Sequence, residues 1–274
     1  MQRTILETIK NKRLIFTVTT GRSGTAYLAS IFGYAKGVRA FHEPSPEFVD
    51  VLREVQGDPI QAKLFMLEHK LPAIARTSSQ VYVETSHLAC KGFFEPLLDI
   101  GIIPDLIIHR RAKRDVALSM FRMGTIPGRS DKGLKFYLSP EDPGVLPLGD
   151  WQGLTDYQIC FWYCLEIERR AQHYRKLFSQ YGGRIVETTL PGLKSFKGLV
   201  DCFDGLGLEV KTPKWLTGLR FYRSSQVKVN ESRETKKPVE IPVDLDQLEE
   251  EVWQNVNRED LLEYFPEKLI NKTR

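Results

Sequence analysis

The chain has few cysteines, no long apolar run and no compositional break. Its four cysteines, Cys90, Cys160, Cys164 and Cys202, form no Cys-x-x-Cys pair and no Cys/His ligand spacing. That argues against a disulfide framework and a zinc module, and points to a reducing compartment. Cys160 and Cys164, four apart on one face of a predicted helix, read as small buried hydrophobes. The longest apolar stretches are interrupted by Asp99, Pro104 and Asp105, so no segment is expected to span a membrane. Near the N-terminus Glu7 and the basic residues from Lys10 to Arg13 break up short apolar runs. No signal-peptide core remains, and a soluble cytoplasmic protein is expected. With no Pro/Gly/Ser linker, repeat or low-complexity tract, residues 1–274 are expected to form a single domain.

Charge is mild and unevenly placed. The net charge is +4 at a sequence pI of about 8.8, with 42% hydrophobic and 27% charged residues, an ordinary balance for a globular chain. Basic residues gather at Arg110–Arg114, at Arg220–Lys237 and at the C-terminal end, whereas Asp244–Glu263 is acidic. Aromatic-interleaved basic strands and a recognition-helix motif are both missing, so no nucleic-acid partner is expected. A multiply anionic nucleotide explains the first two clusters.

What is present begins after the apolar run Leu14-Ile15-Phe16-Thr17-Val18. There Thr19-Thr20-Gly21-Arg22-Ser23-Gly24-Thr25-Ala26-Tyr27 precedes the apolar stretch Leu28–Phe32, which reads as strand, anion-binding loop and helix. The glycines let the backbone approach a ligand, while Ser23, Thr25 and the N–H groups entering the helix offer hydrogen bonds to phosphate-like oxygens. The Gly-Lys-Ser/Thr triplet of a nucleoside-triphosphatase loop is absent, and the cation is Arg22, two residues before the second glycine. About 90 residues later Asp105–His109 reads as a buried parallel strand, with Arg111 at its end and Ser119 eight residues on, inside an amphipathic helix. Further strands are predicted near 37–41, 80–84 and 184–187, alternating with helices near 25–33, 46–55, 58–69, 87–100, 114–123, 155–181, 195–206 and 244–264. This is the α/β pattern of a parallel central sheet flanked by helices. The Gly/Pro/Asp-rich 124–153 region and the basic 211–242 region read as long substrate or lid loops.

The loop and the Arg111/Ser119 pair together resemble the sulfotransferases that use 3′-phosphoadenosine 5′-phosphosulfate (PAPS), which have a P-loop-like nucleotide-binding fold. The resemblance implies that Arg22, Ser23, Gly24, Thr25 and Ala26 hold the 5′-phosphosulfate and that Arg111 and Ser119 hold the 3′-phosphate. It implies PAPS as donor, 3′-phosphoadenosine 5′-phosphate (PAP) as product, and no required metal. The acceptor would be a hydroxyl of a small molecule, lipid or carbohydrate.

Sulfuryl transfer needs a base for that hydroxyl. Glu43, in Phe41-His42-Glu43-Pro44 after the second predicted strand, matches the Glu-Pro that carries the proposed base in carbohydrate-type members. His42 is its rival, with an ordinary pKa nearer neutrality. In Val81–His87 the resemblance points to Glu84, Ser86 and His87 as acceptor-side residues, with Glu84 or His87 as further candidates for the base and Ser86 as a helix cap. Residues Arg220–Arg233 occupy the place of the family's nucleotide-closing segment but lack its Arg-Lys-Gly motif. Two other readings stand beside this one: a small-molecule kinase on a related fold, and a nucleotide-binding protein without catalysis. The sequence leaves the oligomeric state open.

Overall fold

The computed structural model describes residues 2–225, 243–265 and 267. Five strands form one all-parallel sheet: β1 (Arg13–Val18), β2 (Val38–Phe41), β3 (Val81–Glu84), β4 (Asp105–Arg110) and β5 (Ile185–Thr189), in the order β2-β3-β1-β4-β5. These are the five expected strands, and helices flank them. β1 and β4 are buried almost throughout, as near-continuous apolar strands in a two-sided parallel sheet must be.

Alternation along the strands divides the core. Ile15, Val83 and Ile107 face a cluster with Leu28, Ile31, Phe32, Leu199 and Phe203. Phe16 faces the other way, its ring centroid 6.4 Å from Phe48, 6.3 Å from Tyr82 and 6.0 Å from Phe94. The register places Phe16 beside Glu84 and Phe41 beside Glu84. The carboxyl ends of β2 and β3 are therefore level, while β1 runs two residues further, to Val18.

The chain divides into two compact units. Residues 1–111 with 174–233 contain the whole sheet, and residues 112–173 with 234–274 form the other. In the second unit Glu166 is fully buried; Oε2 accepts from Leu146 N and from Arg169 Nε, both at 2.8 Å, and Oε1 accepts from Arg170. There too Arg114 is held by Asp246 and, at 2.7 Å, by Glu249.

The helices depart from expectation where local chemistry intervenes. Residues 85–94 are turns, and the helix expected over 87–100 shrinks to Glu95–Asp99. Gly92, at φ 100°, adopts a conformation no right-handed helix contains. The helix expected over 244–264 is two, Leu245–Asn255 and Arg258–Tyr264: Val256 turns extended and ends the first, and Asn257 caps the second by accepting from Asp260 N at 2.8 Å. Inside the two expected loops lie helices Asp131–Phe136 and Lys214–Ser225. No described helix is long and apolar enough to cross a membrane.

Candidate functional site

The loop after β1 is tied down from inside. Thr19 Oγ1 lies 2.7 Å from both Ser23 Oγ and the His109 carbonyl oxygen, and Ser23 Oγ donates to Thr20 O at 2.8 Å. Ser23 is completely buried, so its hydroxyl proton is used in holding the turn. From the end of β4, His109 Nε2 is 3.1 Å from Ser23 O, and Nδ1 is 2.9 Å from Thr188 Oγ1 on β5. Because a carbonyl only accepts, Nε2 carries the proton and Nδ1 accepts from the threonine hydroxyl. Burial lowers the His109 pKa to about 4, which keeps the ring in this neutral form. Arg111 Nη1 donates to Arg22 O at 3.0 Å, and Thr85 Oγ1 donates to Thr25 O at 2.9 Å. Gly24 permits the close packing: at φ 94°, a Cβ there would stand 2.8 Å from Leu190 Cδ1.

Backbone strain gathers at this end of the sheet. Among the described residues three non-glycines have positive φ, and two of them are Arg22 (64°) and Glu43 (48°). Such conformations persist where the surroundings over-determine them, as at binding and catalytic sites.

Glu43 is the centre of a cluster of titratable groups. Its Oε1 is buried without a hydrogen-bond partner, 3.5 Å from His87 Nε2. Burial raises its carboxyl pKa; the charges of His42 and Lys91 and a hydrogen bond from the His87 backbone oppose that rise, and Glu47 adds to it. On the other side of His87, Nδ1 lies 3.2 Å from Nζ of Lys91, a lysine with no exposed surface. An ammonium only donates, so Nδ1 accepts and the His87 proton sits on Nε2, toward Glu43. Burial above all, then the charges of Lys91, His42 and Arg22, holds the His87 pKa well below the ordinary value. A neutral His87 in this tautomer offers Glu43 an N–H and no lone pair. Glu43 is thus the proton acceptor of the pair. His42, exposed at the surface, donates from Nδ1 to Thr85 O at 3.1 Å, which leaves Nε2 as its basic nitrogen.

Glu84 stands in different company. Its side chain has 0% exposure; Tyr82 OH donates to Oε2 at 2.7 Å, and Lys70 Nζ lies 2.7 Å from Oε1, off the hydrogen-bonding direction, so that contact is ionic. Burial raises the Glu84 pKa, Lys70 opposes the rise, and burial also raises that of Tyr82. Lys70 donates as well to Pro44 O (3.1 Å) and Pro46 O (2.8 Å), and packs 4.4 Å from the Phe48 ring centroid. It anchors the turn that carries Glu43. Ser86 is buried, and its Oγ accepts from Leu88 N at 3.1 Å, starting the turns that bring His87 and Lys91 inward.

Of the residues marked in the sequence, Arg22, His42, Glu43 and His87 come together at the carboxyl ends of β1, β2 and β3, with Ser23 and Gly24 in the adjoining loop and Thr25 and Ala26 opening the helix Thr25–Ile31 that follows it. Arg111 braces that loop, and Glu84 and Ser86 lie beneath it as interior supports. Ser119 sits partly buried on the Lys113–Arg122 helix of the second unit. Arg110 pairs with Glu187 at 2.7 Å. Of the segment Arg220–Arg233, Gln226–Arg233 lies outside the described residues. Sequence reasoning missed Lys70, Lys91 and His109. His109 at least carried a signal, as a polar residue ending a buried strand. No protein-family model matches the chain, and no curated protein matches it at a significant level.

Proposed function

We propose that the protein is a PAPS-dependent sulfotransferase with a P-loop-like nucleotide-binding fold. The observation that carries this reading is the cluster itself: a half-buried carboxylate of raised pKa, on a strained backbone, set among His87, Lys91 and Arg22 beside the Gly-Arg-Ser-Gly-Thr loop. The carboxyl ends of parallel strands are where open α/β sheets bind ligands.

In this reading Glu43 takes the proton from the acceptor hydroxyl. The acceptor oxygen bonds to sulfur, and the bond from sulfur to the 5′-phosphate oxygen breaks. Arg22 and the loop N–H groups stabilise the negative charge that grows on that oxygen. The products are the sulfated acceptor, PAP and a proton on Glu43. His87 presents its N–H toward Glu43 from 3.5 Å, and Lys91 fixes the His87 tautomer. Arg111 takes the 3′-phosphate; the same role for Ser119 rests on the sequence resemblance alone.

The test is transfer of label from ³⁵S-PAPS to a panel of sugar, lipid and phenolic hydroxyls. Label should move with the wild type and not with Glu43→Gln. Transfer of ³²P from γ-labelled ATP to the same panel would make the protein a kinase and overturn the reading.

A further inference from the structure

Within the first unit, the Lys214–Ser225 helix buries one side, with Phe221 in the sheet's core cluster, and presents an apolar ridge on the other. At about 100° per residue, Trp215, Leu219 and Tyr222 fall within an arc about 60° wide, nearly opposite the buried Thr217 and Phe221. The three are 69%, 56% and 71% exposed. Large side chains exposed singly are ordinary, but an aligned stripe of three on one helix is an interaction surface.

Its flanks carry one sign of charge. Between Lys211 and Arg223 the chain has four cations, Lys211, Lys214, Arg220 and Arg223, all exposed, and neither Asp nor Glu. Of the acids nearby, Asp204 lies 3.8 Å from Lys214 and Glu209 lies 3.5 Å from Lys36. At the start of the helix a groove of about 500 Å³ has an apolar floor, including Phe203 and Leu208, below Lys36, Lys211 and Lys214.

We propose that this face docks on an anionic lipid bilayer. Trp and Tyr combine an apolar ring with a polar tip and settle at the headgroup boundary. Leu219 enters the acyl edge between them, while the flanking Arg and Lys meet the lipid phosphates. An all-basic flank around an aromatic ridge complements a negative surface better than it complements a second copy of itself, since two such faces would bring eight cations together. The proposal does not rest on the sulfotransferase reading, and it gives Arg220 and Arg223, which the sequence resemblance places in the nucleotide-closing segment, to lipid phosphates instead.

The test is co-sedimentation of the full chain with phosphatidylcholine vesicles and with phosphatidylcholine–phosphatidylserine vesicles, about 3:1. The wild type should sediment with the anionic vesicles, less so as salt rises, and not with the neutral ones. Trp215→Ser/Leu219→Ser and Arg220→Gln/Arg223→Gln should each weaken binding about tenfold or more, with thermal unfolding unchanged because all four residues are exposed. Failure of the wild type to sediment, binding indifferent to phosphatidylserine, or variants that bind like the wild type would overturn the proposal. So would a dimer in sedimentation velocity that Trp215→Ser/Leu219→Ser abolishes, since the ridge would then be covered by a second copy.

Discussion

Glu84 ends β3 and Glu43 follows the end of β2 by two residues, so the parallel register sets a fully buried and a half-buried carboxylate at the ends of neighbouring strands. Burial raises both pKa values; the charge of Glu43 adds to the rise at Glu84, and that of Glu47 adds to the rise at Glu43. Around Glu84 the protein supplies an ion pair, a tyrosine hydroxyl and complete exclusion of water. Around Glu43 it supplies a neutral imidazole 3.5 Å away and a left-handed backbone, leaving the side chain 26% exposed; each carboxylate has an Oε1 without a hydrogen bond, but only that of Glu84 faces a lysine, at 2.7 Å. Similar chemistry is satisfied at one site and left poised at the other. In the proposed reaction the first carboxylate serves structure, locked by its ion pair, and the second, half-buried and facing a neutral imidazole, takes the proton of the acceptor.

The sharpest way to break this contrast is substitution at both positions. Glu43→Gln should cut turnover by about 10²–10⁴-fold, the usual worth of a positioned base, with PAP affinity almost unchanged. Near-normal turnover in Glu43→Gln with collapse in His42→Asn would move the base to His42. At the other site Lys70→Met strands a fully buried carboxylate and should cost about 3–5 kcal/mol in denaturant unfolding. Lys70→Met/Glu84→Gln should recover most of that loss, because the glutamine oxygen can still accept from Tyr82. If the double variant were no better than the single one, anchoring of Pro44 and Pro46 by Lys70 would outweigh the ion pair.

His109 allows a test by pH. Its folded pKa is about 4, against an ordinary 6.5, so on acidification the unfolded chain binds the proton first. The stability this histidine contributes is complete above pH 6.5 and is lost as pH falls toward 4. Between pH 7 and pH 4 the wild type should lose about 3 kcal/mol relative to His109→Gln. Comparison with the variant cancels His87, which titrates with the same sign, and Glu43 and Glu84, which titrate with the opposite one. A constant difference across this range would show that His109 is not held neutral by the loop.

Much of this arrangement is legible in the sequence. The strands announce themselves because Leu14–Val18 and Asp105–His109 are apolar, β-branched runs, and two-sided burial demands such runs. The loop announces itself through its glycines, and Glu43 through its proline at a strand end. Lys70 and Lys91 could not be read this way. A lysine in a polar-looking stretch reads as solvated, and only the tertiary fold turns Lys91 inward through the 85–94 turns and seats Lys70 on Glu84. The helix expected over 87–100 failed for the same reason: apolar spacing suggested helical period, while the chain there spends its residues delivering His87 and Lys91 to Glu43. The Lys214–Ser225 helix was hidden by its composition, because exposed aromatics among basic residues look like a loop to any argument that assumes apolar groups face inward.

The subtlest effect concerns Lys91, whose charge lowers the Glu43 pKa and that of His87. In Lys91→Met the acidic limb of the rate profile should therefore move to higher pH, while Lys91→Arg should restore it. The ¹⁵N shifts of His87 should change from one fixed tautomer to a mixture. A rate profile that keeps its shape while the protein merely becomes less stable would reduce Lys91 to a packing role.

The central claim is that the loop after β1 and Arg111 are built for a 5′-phosphosulfate and a 3′-phosphate, and the most direct measurement is thermal unfolding in the presence of PAP or ATP. At about 100 times its dissociation constant PAP should add about 2.7 kcal/mol of stability. ATP, which lacks the 3′-phosphate, should add far less, and Arg111→Ala should erase most of the difference. Equal stabilisation by the two nucleotides, or by neither, would contradict the account.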